Sequence, residues 1–283
     1  MPAARLVGLI GYPVGHSRSP AMQQAAFDAL GIPARYVLWE TPLETLAERI
    51  ASLRAPDVLG ANVTIPHKTA IVPLLDALAP SARQAGGAVN TIVRGADGRL
   101  TGHNTDVTGV LRVLDAHGAG DAGQSALALG AGGAARAAWA AVRERKMTLR
   151  VAARNPVAAR EALSALGLLS TGVIPLDAPD ELAKALRASS IVINATPVGM
   201  GEPLASPLSA ELLARLPPNA LVFDMVYAPP ETALLRMAQA RGLRVAMGLE
   251  MLLEQGAAAF ELWTGLSAPI AVMRAALAAH DAE

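Results

Sequence analysis

The sequence predicts an α/β protein with two domains, and three observations support this prediction. Short runs rich in valine, isoleucine and leucine alternate with helical patterns along almost the whole chain. The length of 283 residues is close to what two domains usually require. A strand that begins near Ser125 is followed by a glycine-rich turn and an alanine-rich helix. That order is typical of a Rossmann-type, doubly wound nucleotide-binding sheet.

The first third of the chain contains the elements of an α/β domain. The tetrapeptide at 95–98, Gly-Ala-Asp-Gly, predicts a hairpin between two of its strands. Ser19 and Pro20 predict an N-cap and a first helical residue, and 41–44 reads as a capping box. The predicted strands of this part cover residues 6–11, 35–39, 58–65, 90–94 and 99–102.

The rest of the chain predicts the nucleotide-binding sheet and a helical tail. A helix is expected from Val107 to about His117, and the glycine-rich stretch 118–123 is expected to carry the crossing between domains. We assign 1–106 together with the C-terminal helices at 249–283 to a substrate-binding and catalytic domain, and 107–248 to the nucleotide-binding domain. The six predicted strands are 126–129, 149–153, 172–176, 191–195, 221–225 and 244–246.

Composition excludes several functional classes. Lys plus Arg and Asp plus Glu number 24 each, so no excess charge attracts a nucleic acid or an acidic membrane. The chain has no cysteine, which fits a reducing compartment, and no apolar run approaches the ~20 residues that span a bilayer. The five histidines show no spacing typical of metal ligands. We expect a soluble cytoplasmic protein, monomeric or homodimeric, with a small-molecule partner and no metal, nucleic acid or membrane.

The turn after the first strand of the second domain fits a dinucleotide. Gly130 permits a tight turn, Gly132 allows close approach of a pyrophosphate, and Ala135 keeps helix and strand close together. The N-terminus of the following helix supplies N–H donors for an anion. An ordinary tight turn is the alternative, and the strand before and the helix after favour the dinucleotide.

The end of the next strand favours NADP over NAD. An NAD enzyme normally places an acidic residue there to accept from the ribose hydroxyls. This chain has Arg154 and Asn155 and no acid, and a guanidinium can pair with a 2′-phosphate. Arg160 is a possible second cation, although a solvated surface arginine explains it equally well.

Polar side chains of the first domain suggest a substrate site. Ser17 and Ser19 offer two hydroxyls suited to a carboxylate, although Ser19 can equally cap a helix. Pro66 is expected to begin a helix with Lys68 in its first turn, where the helix dipole disfavours a cation. Fold stability alone would not select a lysine there, but a side chain extended into solvent remains an alternative. Asp106 can be a reacting carboxylate or only an N-cap.

Eight stretches together resemble the shikimate dehydrogenase family, which includes NADP-dependent shikimate 5-dehydrogenases and shikimate/quinate dehydrogenases. The resemblance covers nearly the whole chain, and several motifs in one order are more specific than any single motif. The stretches are Gly-Tyr-Pro-Val-Gly-His-Ser-Arg-Ser-Pro at 11–20, Asn-Val-Thr-Ile-Pro-His-Lys at 62–68, Ala-Val-Asn-Thr at 88–91, Gly-His-Asn-Thr-Asp at 102–106, Gly-Ala-Gly-Gly-Ala-Ala-Arg at 130–136, Asn-Ala-Thr-Pro-Val-Gly-Met at 194–200, Asp-Met-Val-Tyr at 224–227 and Met-Gly-Leu-Glu-Met-Leu-Leu-Glu-Gln-Gly at 247–256.

This resemblance implies an NADPH-dependent oxidoreductase that reduces 3-dehydroshikimate to shikimate, in the pathway to chorismate and the aromatic amino acids. Lys68 and Asp106 would bracket the reacting oxygen, and either could move the proton. The implied substrate-binding residues are Ser17, Ser19, Asn62, Thr64, Asn90, Tyr227 and Gln255. The implied cofactor-binding residues are Gly130, Ala131, Gly132, Gly133, Ala134, Arg154, Asn155, Thr196, Met225 and Gly248.

Two departures from the family pattern leave points open. The family commonly has Asn-Arg-Thr where this chain has Ala-Arg-Asn at 153–155, which keeps the arginine but loses part of the hydrogen-bonding set that favours NADP over NAD. Glu250 stands where the family often has glycine. Relatives that use quinate often replace the second serine by threonine, so Ser19 favours shikimate. Oxidation of quinate or aminoshikimate, and a catalytically silent sensor of dinucleotide and shikimate, are the alternatives.

Overall fold

The computed structural model describes residues 4–280. Residues 1–3 and 281–283, at the ends of the predicted first domain and C-terminal tail, lie outside the described residues. The chain divides into two compact units. The first consists of Met1–Gly109 and Leu253–Glu283, and the second of Val110–Leu252.

The described chain contains twelve strands and eleven α-helices, which alternate along most of its length, as is typical of an α/β architecture. The strands are β1 (Arg5–Gly11), β2 (Ala34–Glu40), β3 (Val58–Val63), β4 (Ala77–Leu78), β5 (Thr91–Arg94), β6 (Leu100–His103), β7 (Ser125–Leu129), β8 (Thr148–Ala153), β9 (Gly172–Pro175), β10 (Ile191–Asn194), β11 (Leu221–Asp224) and β12 (Arg244–Ala246). The helices are α1 (Ser19–Ala29), α2 (Leu46–Ser52), α3 (Pro80–Gln84), α4 (Thr105–Ala116), α5 (Gly133–Glu144), α6 (Pro156–Ala165), α7 (Pro179–Arg187), α8 (Ala210–Leu213), α9 (Ala233–Gln239), α10 (Gly248–Thr264) and α11 (Ile270–His280).

The first unit is built on a mixed six-stranded sheet in the order β2-β1-β3-β5-β6-β4. Strands β2, β1 and β3 run parallel to one another. The hairpin predicted at 95–98 is confirmed, because β5 and β6 pair antiparallel with Arg94 opposite Leu100. The two-residue strand β4 was not predicted, since it is too short to show a periodic pattern.

Two predicted helix starts in this unit are wrong. Ser19 is the first residue of α1 rather than its N-cap, and its N–H donates to the Oγ of Ser17 at 3.2 Å. The hydroxyl of Thr41 donates back to the carbonyl of Trp39 at 2.7 Å, so it is not the predicted capping box. A short 3-10 helix over Leu43–Thr45 precedes α2 instead.

The helix predicted to begin at Pro66 is also absent, because turns follow β3 up to a 3-10 helix at Val72–Leu74. The carbonyl of Lys68 accepts the N–H of Val89 at 2.7 Å, a contact with a distant segment in place of a helical bond. Lys68 therefore does not lie at a helix N-terminus, and the prediction that a helix dipole acts on it is wrong. Its side-chain contacts determine its electrostatic environment.

The second unit contains an all-parallel sheet in the order β12-β11-β10-β7-β8-β9, which confirms the doubly wound fold. All six predicted strands are present, and their ends agree within one residue. The order reverses between β7 and β10, and open α/β sheets bind ligands at the carboxyl ends of strands beside such a reversal. The loops after β7, β8, β10 and β11 all lie at that edge.

The C-terminal helices pack on α1 within the first unit, as predicted for the fold. The rings of Phe27 and Phe260 lie 5.2 Å apart, and the side-chain amide of Gln23 donates to the carbonyl of Gly256 at 2.8 Å. The division between the units falls inside α4 and α10, so the stretch 118–123 belongs to the second unit and not to the expected crossing. In the described part of the chain, no helix combines the length and the apolarity that a bilayer crossing needs.

A buried polar network fixes the loops that follow β10 and β11. Asp224 accepts from the Asn194 side chain at 2.8 Å, from the Thr232 hydroxyl at 2.6 Å and from the Val226 N–H at 3.0 Å. Asn194 in turn accepts from the Thr196 hydroxyl at 2.7 Å. Burial raises the pKa of the Asp224 carboxyl, and these hydrogen bonds only partly oppose that shift.

The raised pKa of Asp224 predicts a pH-dependent contribution to stability. The folded state holds this proton more tightly than the unfolded chain, so the stabilisation is lost as pH rises from 3.8 through the raised value. We expect the unfolding free energy of the wild type to fall relative to that of Asp224→Asn across this window. Urea unfolding between about pH 4 and about pH 7 measures the difference.

Asp121→Asn, which changes an exposed aspartate of the same unit, is the matched control. A difference between wild type and Asp224→Asn that stays constant with pH would contradict the expected linkage.

Candidate active site

An ammonium and a carboxylate of the first unit form a close pair. The Nζ of Lys68 donates to the Oδ2 of Asp106 at 2.6 Å. Lys68 lies in the turns after β3, and Asp106 is the second residue of α4. Their side chains are 16% and 7% exposed, so both charges are largely removed from water while the lysine keeps some access. A preorganised charge pair of this kind can stabilise charge that develops on a bound substrate.

Asp106 does not cap its own helix. The side-chain oxygen of Asn104 accepts from the N–H of Val107 at 3.1 Å, which is the contact of an N-cap residue. The amide of Asn104 also donates to the carbonyl of Ala88 at 2.7 Å. The capping alternative for Asp106 is therefore wrong, and its carboxylate is available for Lys68.

Asn90 holds the second oxygen of the Asp106 carboxylate. Its Nδ2 donates to the Oδ1 of Asp106 at 2.8 Å and lies 3.4 Å from the Oε1 of Gln255. Its own oxygen accepts from the N–H of Thr105 at 2.7 Å, which fixes the orientation of the amide. The structure thus brings together four residues of the predicted site, Lys68, Asn90, Asp106 and Gln255.

Asn62 lies next to this cluster and is held by Asn90 and by two residues, Tyr36 and Thr91, to which the sequence analysis assigned no role. The hydroxyl of Tyr36 donates to the Asn62 Oδ1 at 2.8 Å. The Asn62 amide donates to the carbonyl of Asn90 at 3.2 Å and to the hydroxyl of Thr91 at 3.1 Å. Thr91 belongs to a quoted motif, so its polarity inside a strand could have indicated a role. Tyr36 sits in an ordinary strand pattern and gave no signal.

Ser17, Ser19 and Thr64 follow the carboxyl ends of two adjacent parallel strands. Ser17 and Ser19 come after β1, and Thr64 comes directly after β3, with its N–H bonded to the carbonyl of Ile10 at 2.8 Å. Ser19 is buried, whereas Ser17 and Thr64 are half-buried. The carboxyl edge of a sheet is where α/β proteins bind ligands, so these hydroxyls are suitably placed for a carboxylate.

In the second unit, the turn after β7 has the geometry that a pyrophosphate needs. Gly130 has φ +105, and a Cβ there would lie 3.0 Å from the carbonyl oxygen of Ala195. A Cβ at Gly132 would meet nothing within 4 Å, so open space lies beside this backbone. Helix α5 begins at Gly133 without a side-chain cap, which leaves its first N–H groups for an anion.

The residues expected to read the 2′-phosphate follow β8, the neighbour of β7 in the sheet. Arg154 and Asn155 are both exposed. The oxygen of Asn155 accepts from the N–H of Ala158 at 3.1 Å, so this side chain caps α6 and keeps only its amide hydrogens free for a ligand. Arg160 reaches the carbonyl of Val173 at 3.4 Å. Arg154 is therefore the principal cation of this turn.

The remaining predicted cofactor residues lie at the same edge of the sheet. Thr196 and Met225 follow β10 and β11 in the loops that the Asn194 and Asp224 network fixes. Gly248 opens α10, where a Cβ would overlap the carbonyl of Val226. Only glycine allows these two segments to approach so closely. Tyr227, predicted to bind substrate, lies two residues after Met225 in the loop that follows β11, and it is half-buried.

The structure explains Glu250, the departure from the family pattern. One of its oxygens accepts the N–H of Met247 at 3.0 Å, and the other lies 2.8 Å from the Nε2 of His117. The first contact is the backward half of a capping box at the start of α10. Glu250 therefore fixes the turn that contains Gly248.

Residues 4–280 contain no cluster of three or more histidine, cysteine, aspartate or glutamate side chains arranged to hold a metal ion.

Comparison with known proteins identifies related chains. Residues 9–92 match the model of the shikimate dehydrogenase substrate binding domain, and residues 248–278 match that of the shikimate 5′-dehydrogenase C-terminal domain. The chain is 44% identical to a shikimate dehydrogenase (NADP(+)) of Symbiobacterium thermophilum, over 99% of this chain and 96% of that protein. It is 45% identical to the enzyme of the same name from Geobacter metallireducens, over 95% and 94% of the two chains.

Solved structures agree with these relatives. Shikimate 5-dehydrogenase from Thermus thermophilus, in complex with NADP(H) and shikimate, is 40% identical with a TM-score of 0.86, and the match covers 97% of this chain and 99% of that one. Quinate dehydrogenase from Corynebacterium glutamicum, in complex with NAD, is 31% identical with a TM-score of 0.86, and the match covers 98% and 99%. From its sequence relatives and its fold, the chain belongs to the shikimate dehydrogenase family.

Proposed function

We propose that this protein is an NADP-dependent shikimate dehydrogenase that reversibly reduces 3-dehydroshikimate to shikimate. The observation that carries the proposal is the Lys68 and Asp106 pair, 2.6 Å apart and largely buried, in a chain whose relatives are NADP(+) shikimate dehydrogenases. In this proposal the enzyme serves the pathway to chorismate and the aromatic amino acids, in the cytoplasm, as a monomer or a homodimer.

The substrate carboxylate would bind the hydroxyls of Ser17 and Ser19, since two small donors suit a carboxylate. Four amide and hydroxyl side chains of the first unit, and one hydroxyl of the second unit, would orient the ring and its hydroxyl groups. These residues are Asn62, Thr64, Asn90, Tyr227 and Gln255.

The reduction adds a hydride and a proton to the carbonyl. Bound NADPH supplies the hydride to the carbonyl carbon, C3 of the substrate. Negative charge then develops on the oxygen, and the ammonium of Lys68 stabilises this charge and gives the oxygen its proton. Asp106 keeps the ammonium in position and accepts a hydrogen bond from the neighbouring substrate hydroxyl. In the oxidation of shikimate, a neutral Lys68 takes the proton back.

The cofactor would lie along the carboxyl edge of the second sheet. Residues 130–134 and the first N–H groups of α5 suit the pyrophosphate, because open space lies beside Gly132 and the helix has no side-chain cap. Arg154 would pair with the 2′-phosphate. Asn155 would add an amide donor, and Thr196, Met225 and Gly248 would line the nicotinamide side.

Quinate oxidation is the second candidate, because a quinate dehydrogenase with NAD is among the similar solved structures. Ser19 favours shikimate, since the resemblance associates quinate use with threonine there. A silent sensor would bind both small molecules without turnover, and the intact Lys68 and Asp106 pair argues against it.

Steady-state kinetics with shikimate and quinate, each with NADP+ and NAD+, tests the proposed function. We expect shikimate with NADP+ to give a kcat/KM at least about tenfold above any other combination of substrate and cofactor. Ser19 favours shikimate over quinate, and Arg154 favours a cofactor that carries a 2′-phosphate. Absorbance of the reduced nicotinamide measures the rate. A preference for quinate or NAD+ would favour the second candidate, and binding without turnover would favour the sensor.

Removing the Lys68 ammonium should lower turnover much more than binding. We expect Lys68→Ala to reduce kcat about 100- to 10,000-fold and to change KM for shikimate less than about threefold, because its charge acts mainly in the transition state. The same absorbance assay measures both constants. Lys184→Ala removes an exposed lysine of α7 and serves as the control. A Lys68→Ala enzyme with near-normal kcat would refute the assigned role.

A further inference from the structure

We propose that Thr91 is a positioning residue of the active site, which holds the orientation of the Asn62 amide and, together with the N–H of Thr105, that of the Asn90 amide and so of the Asp106 carboxylate. This inference rests on the proposed function, because the residues that Thr91 orients are those assigned to substrate and proton transfer. The hydroxyl of Thr91, rather than the shape of its side chain, performs this role.

Thr91 is placed behind the site and not in it. It is the first residue of β5, its exposed fraction is 0%, and it lies opposite Asn62 in the pairing of β3 with β5. A side chain so deeply buried cannot touch substrate. Any effect of its hydroxyl on the reaction must therefore pass through the neighbouring side chains.

The Thr91 hydroxyl joins the two asparagines. Its oxygen accepts from the Asn62 amide at 3.1 Å. Its single proton has two acceptors within reach, the Asn90 Oδ1 at 3.2 Å and the Thr105 Oγ1 at 3.0 Å. Thr105 itself accepts from the Asn90 amide at 3.0 Å, so either choice of acceptor connects Thr91 to Asn90.

The connection ends at the reacting charges. The same Nδ2 of Asn90 donates to Asp106, and Asp106 holds Lys68. An asparagine that rotates its amide by half a turn presents oxygen where it presented N–H, which would place Asn90 Oδ1 against the carboxylate. The hydroxyl of Thr91 disfavours that rotation together with the N–H of Thr105, because both can donate to the Asn90 oxygen. The same hydroxyl accepts from the Asn62 amide, so it disfavours the corresponding rotation of Asn62 as well.

The test compares two substitutions at this one position. Thr91→Val keeps the branched shape and removes the hydroxyl, whereas Thr91→Ser keeps the hydroxyl and removes a methyl group. We expect Thr91→Val to lower kcat/KM for shikimate roughly 10- to 100-fold, because the buried Asn62 amide loses the hydroxyl that accepts its hydrogen bond. KM for NADP+ should stay within about twofold of the wild-type value. Thr91→Ser should stay within about threefold of wild type.

The matched control is Thr41→Val, which removes the hydroxyl of another buried threonine of the first unit, 2% exposed and outside the network. Thermal unfolding of each variant reports folding independently of activity. A purely structural role for Thr91 would lower stability and raise KM for both substrates alike, or would make valine the better replacement. Either result, or a wild-type kcat/KM in Thr91→Val, overturns the inference.

Thr91→Ala decides the matter if Thr91→Val does not fold, because it removes the same hydroxyl with a smaller side chain. A selective loss with shikimate that Thr91→Ser does not show supports the inference, and unchanged kinetics overturns it. Absence of shikimate oxidation by the wild type would overturn the proposed function together with this role. An active wild type with equally active variants would overturn the role alone.

Discussion

The carboxylate of Asp106 is held by two donors, the ammonium of Lys68 and the amide of Asn90, and the rest of the substrate site depends on this arrangement. A buried charge is costly unless it is paired and hydrogen-bonded, so the surrounding polar groups must be satisfied together. Asn104 relieves Asp106 of capping its helix, and Thr105 fixes the amide of Asn90. Each neighbour therefore has a defined partner, and the two charges can face a substrate without rearranging.

The fold was largely readable from the sequence, because strands and turns have local signals. Apolar runs located all six strands of the second sheet, and Gly-Ala-Asp-Gly at 95–98 located the hairpin of the first. Helix starts were less readable. The hydroxyl of Thr41 had another acceptor within two residues, and the carbonyl of Lys68 bonds to Val89. Neither the local hydrogen bond of Thr41 nor the long-range one of Lys68 leaves a periodic trace in the chain.

The candidate site divides in the same way. Lys68, Asn90, Asp106 and Gln255 were predicted from motifs, and the structure brings them together. Tyr36 was not singled out, and Thr91, Asn194 and Asp224 stood in quoted motifs with no role assigned, because their contacts arise only when distant strands pair. Glu250 departs from the family pattern, and in the structure its carboxylate caps the start of α10 and contacts His117. A polar residue inside an apolar strand is the useful signal for such supporting groups.

The first unit is discontinuous in sequence, and this affects how the chain is made. Phe27 and Gln23 of α1 have their partners, Phe260 and Gly256, in a helix that leaves the ribosome more than 200 residues later. Until then the nascent N-terminal segment exposes an apolar helix face in a crowded cell. The second unit, whose sheet is continuous in sequence, can acquire its hydrogen bonds first. Synthesis thus favours an order in which the middle of the polypeptide matures before its beginning.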